Sequence, residues 1–148
     1  MSVAVILDSS PLGLLSNPSG TSQPVACRAW VKTLIATGRR IIIPEIADYE
    51  VRRELIRTKS SRALAILDSL CATYEYLPIT TLAMRLAADL WAQARNSGLA
   101  TAHAHALDGD VILAAQSVAM NVSCVVATEN PGHLTRYVSA ELWSNVMP

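Results

Sequence analysis

The sequence predicts an α/β fold, a three-layer sandwich around a central, mostly parallel sheet. Three observations lead there. Short, largely apolar runs recur at residues 3–7, 41–43 and 123–127, a length that suits strands. Longer segments of helical periodicity separate them, giving the strand–helix alternation of a parallel sheet. The runs also lack polar alternation, as strands buried on both faces do. At 148 residues the chain has the length of one domain, expected over residues 1–148.

Each element has its own signal. Val3 to Leu7 is a β-branched run that stops at Asp8 and Ser9-Ser10-Pro11, read as a turn. Residues 16–24 form a loop, and Gln23 to Thr37 a helix closed by Gly38. Ile41-Ile42-Ile43 is the second strand, and Pro44 suits the start of a helix over Glu45 to Thr58. Ser60-Ser61 can cap a third helix, through Ala72. Tyr76 to Ile79 is a weak strand, and Thr80-Thr81 opens a helix to about Asn96, with Gly98 as its stop. Residues 99–107 give no clear signal. A fifth helix is expected from Asp108 to Met120, a strand from Ser123 to Ala127, and a short tail after Pro131-Gly132.

Composition excludes several classes of function. The chain is 51% hydrophobic and 16% charged, which is not the composition of a disordered protein. Its longest aliphatic run, Val3 to Leu7, is far short of the ~20 residues of a membrane span. Asp8 interrupts that run, so no signal peptide is expected, and a cytoplasmic protein is. Cys27, Cys71 and Cys124 are odd in number and show no CxxC spacing, which argues against a disulfide framework or a cysteine-rich zinc site. Twelve Lys and Arg balance twelve Asp and Glu, leaving no whole-molecule attraction to nucleic acid. Locally, however, Arg52, Arg53, Arg57, Lys59 and Arg62 place five basic residues within eleven positions. Such a cluster can hold phosphates, though a solvated helix face explains it as well.

Ligands of an open parallel sheet bind beyond the carboxyl ends of its strands. Asp8 directly follows the first strand, and Thr128-Glu129-Asn130 follow the last good one. Turn chemistry explains Asp8 equally well. In the helix from Glu45, Glu50 sits at the edge of the apolar stripe of Ala47, Val51 and Leu55. Helical spacing would pair Glu50 with Arg53, Glu54 with Arg57, and Asp48 with Arg52. Asp108 reads as the cap of its helix, leaving Asp110 as a carboxylate on a rigid helix start. If Asp8, Glu50 and Asp110 met at one edge, each like-charged pair near 4 Å would cost about 4 kcal/mol. A cation would have to compensate, and oxygen ligands select Mg²⁺ or Mn²⁺. Such a metal suits phosphodiester hydrolysis, because it lowers the pKa of a bound water and neutralises charge on phosphate.

Three segments together resemble a PIN domain of the VapC toxin type. VILDSSPLG resembles its first strand with an Asp and a following hydroxyl residue. IPEIADYEVRREL resembles the segment in which a Glu follows the second strand and is trailed by Arg. GDVILAAQSVAMNVSCVVATEN resembles the Asp-opened apolar helix, the next strand and its Thr-x-Asn/Asp ending. The resemblance implies a Mg²⁺- or Mn²⁺-dependent endoribonuclease of RNA, restrained by an antitoxin and typically a homodimer. It makes Asp8, Glu50 and Asp110 the metal-binding, catalytic carboxylates, with Ser9 and Thr128 in support. Arg52, Arg53 and Arg57 would draw in RNA. Asn130 falls where many PIN domains have a fourth acid, and an amide binds metal more weakly. Asp108 or Glu129 could take its place; a helical Asp108 would point ~200° away from Asp110. His103 and His105 read as surface residues, since a hard cation prefers oxygen. Trp30, Trp91 and Trp143 are candidates for core packing before interface anchors. A PIN-like domain without catalysis, acting as a binding module, is the alternative that Asn130 suggests. A nucleotide-binding α/β protein lacks support, because GxGxxG and GxxxxGK[ST] are both absent.

Overall fold

The computed structural model describes residues 3–98 and 104–148. Five parallel strands form one sheet: β1 (Ala4–Leu7), β2 (Ile41–Pro44), β3 (Glu75–Leu77), β4 (Cys124–Thr128) and β5 (Ala140–Leu142), in the order β3-β2-β1-β4-β5. Around it pack α1 (Ser9–Ser16), α2 (Ser22–Ala36), α3 (Glu45–Arg57), α4 (Ser61–Thr73), α5 (Thr81–Asn96), α6 (Ala104–Ala119) and α7 (Pro131–Leu134). A 3₁₀ turn, Trp143–Asn145, follows β5. This is the expected three-layer α/β architecture.

Side chains on a strand alternate between the sheet's faces, and the core divides accordingly. Val5, Leu7, Ile41, Ile43, Val125 and Ala127 join Leu12, Leu34 and Trp30 on one face. Ala4, Ile6, Ile42 and Val126 join Ile46, Leu113 and Leu134 on the other. Both faces are apolar because helices cover both. Trp30 and Trp143 pack in the first core, ring centroids 5.4 Å apart at 60°. Trp91 instead stays 38% exposed on α5. Gln116 of α6 is buried and ties three elements: it accepts from Ile46 N at 3.2 Å and donates to Leu77 O at 2.9 Å.

Four expectations need correction. Ser9-Ser10-Pro11 is no turn but the start of α1; Pro11 is its third residue, in the first turn, where a missing N–H costs nothing. The helix expected from Asp108 begins at Ala104, so Asp108 lies inside it and is not its cap. The weak strand lies at Glu75–Leu77 and ends before Ile79. The tail carries β5, which pairs Val126 with Ala140 and Thr128 with Leu142. His103 and the side chain of His105 lie outside the described residues. Among the described residues no helix is long and apolar enough to cross a membrane.

Candidate active site

From β1 the chain winds outward to β2 and β3 on one side and later returns to place β4 on the other. The order reverses between β1 and β4, so a crevice opens there beyond their carboxyl ends. Asp8 stands at this point as the cap of α1, its Oδ1 accepting from Ser9 N at 2.7 Å. Asp8 thus caps a helix where a turn was expected. Its other oxygen, Oδ2, accepts a 2.7 Å hydrogen bond from Thr128 Oγ1 at the end of β4. Thr128 Oγ1 in turn accepts from Asn130 N at 3.1 Å, and Ser10 Oγ accepts from Glu129 N at 2.9 Å. The segment after β4 is thus tied to the start of α1, and Asp8 is held at both oxygens.

Two further carboxylates come to this edge. α3 buries Ile46, Ala47 and Val51, which draws the side chain of Glu50 inward until 24% remains exposed. Its carboxylate lies against α6 at Gly109, where an added Cβ would sit 2.9 Å from Glu50 Oε2. Asp110 is the next residue. Burial, then the charge of Asp8, push Glu50 up to about 7; Asp110 adds to this and Arg53, 3.9 Å away, opposes it. Burial and Asp8 likewise push Asp110 up to about 6, against His133 and Arg136. Among these three carboxylates the charge of Asp8 acts on both Glu50 and Asp110, and that of Asp110 on Glu50. They form an oxygen-donor set whose repulsion a hard divalent cation would relieve. Among the described residues no group of three or more His, Cys, Asp or Glu side chains is placed to hold a metal ion.

The other expected residues divide. Asn130 is exposed and opens α7 without a side-chain cap bond. Glu129 accepts from Trp143 Nε1 at 2.8 Å and helps raise the thiol of Cys27, so it serves the core beside Trp143. Asp108 lines a groove with Met84, Trp91 and Val111, on the face of α6 that helical geometry sets apart from Asp110. Arg52 is held by Asp48 at 3.0 Å and Asp68 at 2.7 Å, and Asp48 also accepts from Tyr76 OH at 2.7 Å. Arg57 pairs with Glu54. Arg53 remains 55% exposed, over the Tyr49 ring and beside Glu50. All three helical pairings anticipated from spacing occur.

Sequence reasoning missed His133, whose Nδ1 lies 3.8 Å from Asp110 Oδ2, together with Arg136, Ser10 and Gly109. One signal pointed to the first two. Pro131 follows Thr128-Glu129-Asn130 at a position suited to helix N1, which brings the next turn to the same edge.

No family model matches the chain, and no curated protein does. Solved structures do. VapBC2 from Rickettsia felis, bound to a DNA fragment from their promoter, is similar over 94% of this chain and 98% of that one, with TM-score 0.73 and 17% identity. FitAcB from Neisseria gonorrhoeae is similar over 96% and 99%, with TM-score 0.70 and 17% identity. DNA-bound VapBC from Salmonella typhimurium is similar over 96% and 99%, with TM-score 0.68 and 19% identity. Agreement over nearly the whole of each chain, at identities this low, is agreement of fold: this chain shares the PIN-like α/β fold of these structures.

Proposed function

We propose that this protein is a Mg²⁺- or Mn²⁺-dependent endoribonuclease, the toxin component of a toxin–antitoxin pair. What supports the reading is that Glu50 and Asp110 are both pushed upward, by burial first and then by the charge of Asp8 at the end of β1. A fold retains such repulsion where a cation offsets it. Asp8, Glu50 and Asp110 would hold the ion. When bound, it supplies a water of lowered pKa and neutralises charge on the scissile phosphate.

The chain's own residues do the rest. Ser9 N and Thr128 Oγ1 fix the two oxygens of Asp8, so that carboxylate is oriented before any ligand arrives. Arg53, half-exposed beside Glu50, would meet an RNA phosphate at the rim. Arg136 brings positive charge to the Asp110 side, where His133 Nδ1 lies 3.8 Å from Asp110 Oδ2. The solved structures named VapBC support a cognate antitoxin as partner. A homodimer acting in the cytoplasm completes the reading.

The test is cleavage of a structured-RNA pool with Mn²⁺, with Mg²⁺ and with chelator, for the parent and Asp8→Ala. Cleavage that needs metal and disappears in Asp8→Ala is expected. A folded, partner-free parent that never cleaves would reject the nuclease and leave a binding module, the reading favoured by the amide at Asn130. Asn130→Asp would then be the variant to assay.

A further inference from the structure

We infer that Gly109 is a positioning residue of this site: by lacking a side chain it gives the Glu50 carboxylate its seat against α6. The inference rests on the reading of Glu50 as a metal-binding carboxylate. Gly109 lies inside α6 (Ala104–Ala119), where glycine is less favourable than alanine. The backbone does not call for it. The glycines at positive φ are Gly38 and Gly98, and Gly109 is not among them. A neighbour must therefore explain it.

That neighbour is Glu50. A Cβ at position 109 would meet Glu50 Oε2 at 2.9 Å, Cδ at 3.5 Å and Oε1 at 3.6 Å, and these are its three nearest atoms. No comparable approach occurs at the other glycines: an added Cβ would stand 4.0 Å from Val51 at Gly13 and 3.9 Å from Asn130 at Gly132, and would meet nothing within 4 Å at Gly20, Gly38 and Gly98. The atom in the way belongs to the end of a flexible side chain, so a methyl group would displace the carboxylate and leave the fold intact. The next residue is Asp110, so the displaced group would leave the space it shares with the second carboxylate of the same edge. A helix that gave up alanine for a carboxylate's seat has exchanged stability for geometry, as functional sites do.

The test is Gly109→Ala, read three ways. A crystal structure should show Glu50 moved while α3 and α6 superpose on the parent, with Tm equal to or above the parent's. An unmoved Glu50 with α6 pushed aside, or a lowered Tm, would overturn the inference. Calorimetry with Mn²⁺ should show affinity weaker by roughly 10-fold or more, the range of losses when a ligand's support is removed. In a Glu50→Gln background the same substitution should change Mn²⁺ affinity no further, because Gly109 acts through Glu50; an equal loss in both backgrounds would overturn it. A parent that binds no Mn²⁺ would sink the metal reading alone, because the crystal structure still decides whether Gly109 seats Glu50.

Discussion

Thr128 Oγ1 donates to Asp8 Oδ2 at 2.7 Å, joining the ends of the two central strands across 120 residues of chain. Thr128 is buried to 2% exposure and Asp8 is half-buried, so the bond serves both the fold and the aim of the carboxylate. A hydrogen bond to a charged group contributes about 1.5–3 kcal/mol. Thr128→Val, which keeps the shape and deletes the donor, is expected to lower stability by about that amount in urea denaturation and to reduce RNA cleavage. Thr128→Ser should recover most of both.

Stability of the metal-free protein should fall as pH rises from 4 to 7. Folding raises Glu50 to about 7 and Asp110 to about 6. The folded chain therefore holds more protons than the unfolded one between their ordinary values and these, and loses stability as they ionise. At about 1.4 kcal/mol per pKa unit the decline amounts to a few kcal/mol. Glu54 and Glu75 are shifted downward by Arg57 and Arg40, but they are exposed and water screens them. Urea titrations in chelator across this range would show it, and saturating Mn²⁺ should flatten the slope because it takes the ionised form. A rise in stability toward pH 7 in chelator would refute the arrangement.

The basic cluster should separate into one RNA contact and two structural pairs. Arg53→Glu is expected to weaken RNA binding and to reduce the salt slope by about one charge contact. Arg52→Ala should instead act on the fold. It releases Asp48 and Asp68, and Asp48 also holds Tyr76, so thermal stability should drop while the salt slope of binding stays. Fluorescence anisotropy at several salt concentrations distinguishes the two variants.

Tyr137 buries its hydroxyl without a hydrogen-bond partner among the described residues. An unpaired buried polar group costs about 1–3 kcal/mol. Tyr137→Phe removes that cost and keeps the ring that packs on the Ala83, Ala87 and Val111 core. The variant should be more stable by up to about 1 kcal/mol in chemical denaturation, without loss of cleavage.

The strands and the acids were legible in the chain because their signals are local. Short apolar runs with three β-branched residues each, stopped at Asp8 and at Pro44-Glu45, describe β1 and β2 whatever lies around them. The ion pairs of α3 follow from helical spacing alone. Asp8, Glu50 and Asp110 were legible as candidates by position, Asp8 just after a strand, Glu50 on the helix that follows one and Asp110 near the start of an apolar helix. Their meeting was not. It depends on the reversal of strand order at β1, on the burial of α3 that turns Glu50 inward, and on Gly109, whose missing side chain has meaning only when α3 lies against it. The same holds for α1 and β5. Ser9-Ser10-Pro11 suits a turn or a first helical turn equally until Asp8 caps it, and Ala140–Leu142 has no strand pattern until β4 offers its free edge. Local sequence determined which residues could form each element and carry charge. Tertiary packing decided which of those charges share one low-dielectric space, because only distance and burial turn separate carboxylates into a coupled set.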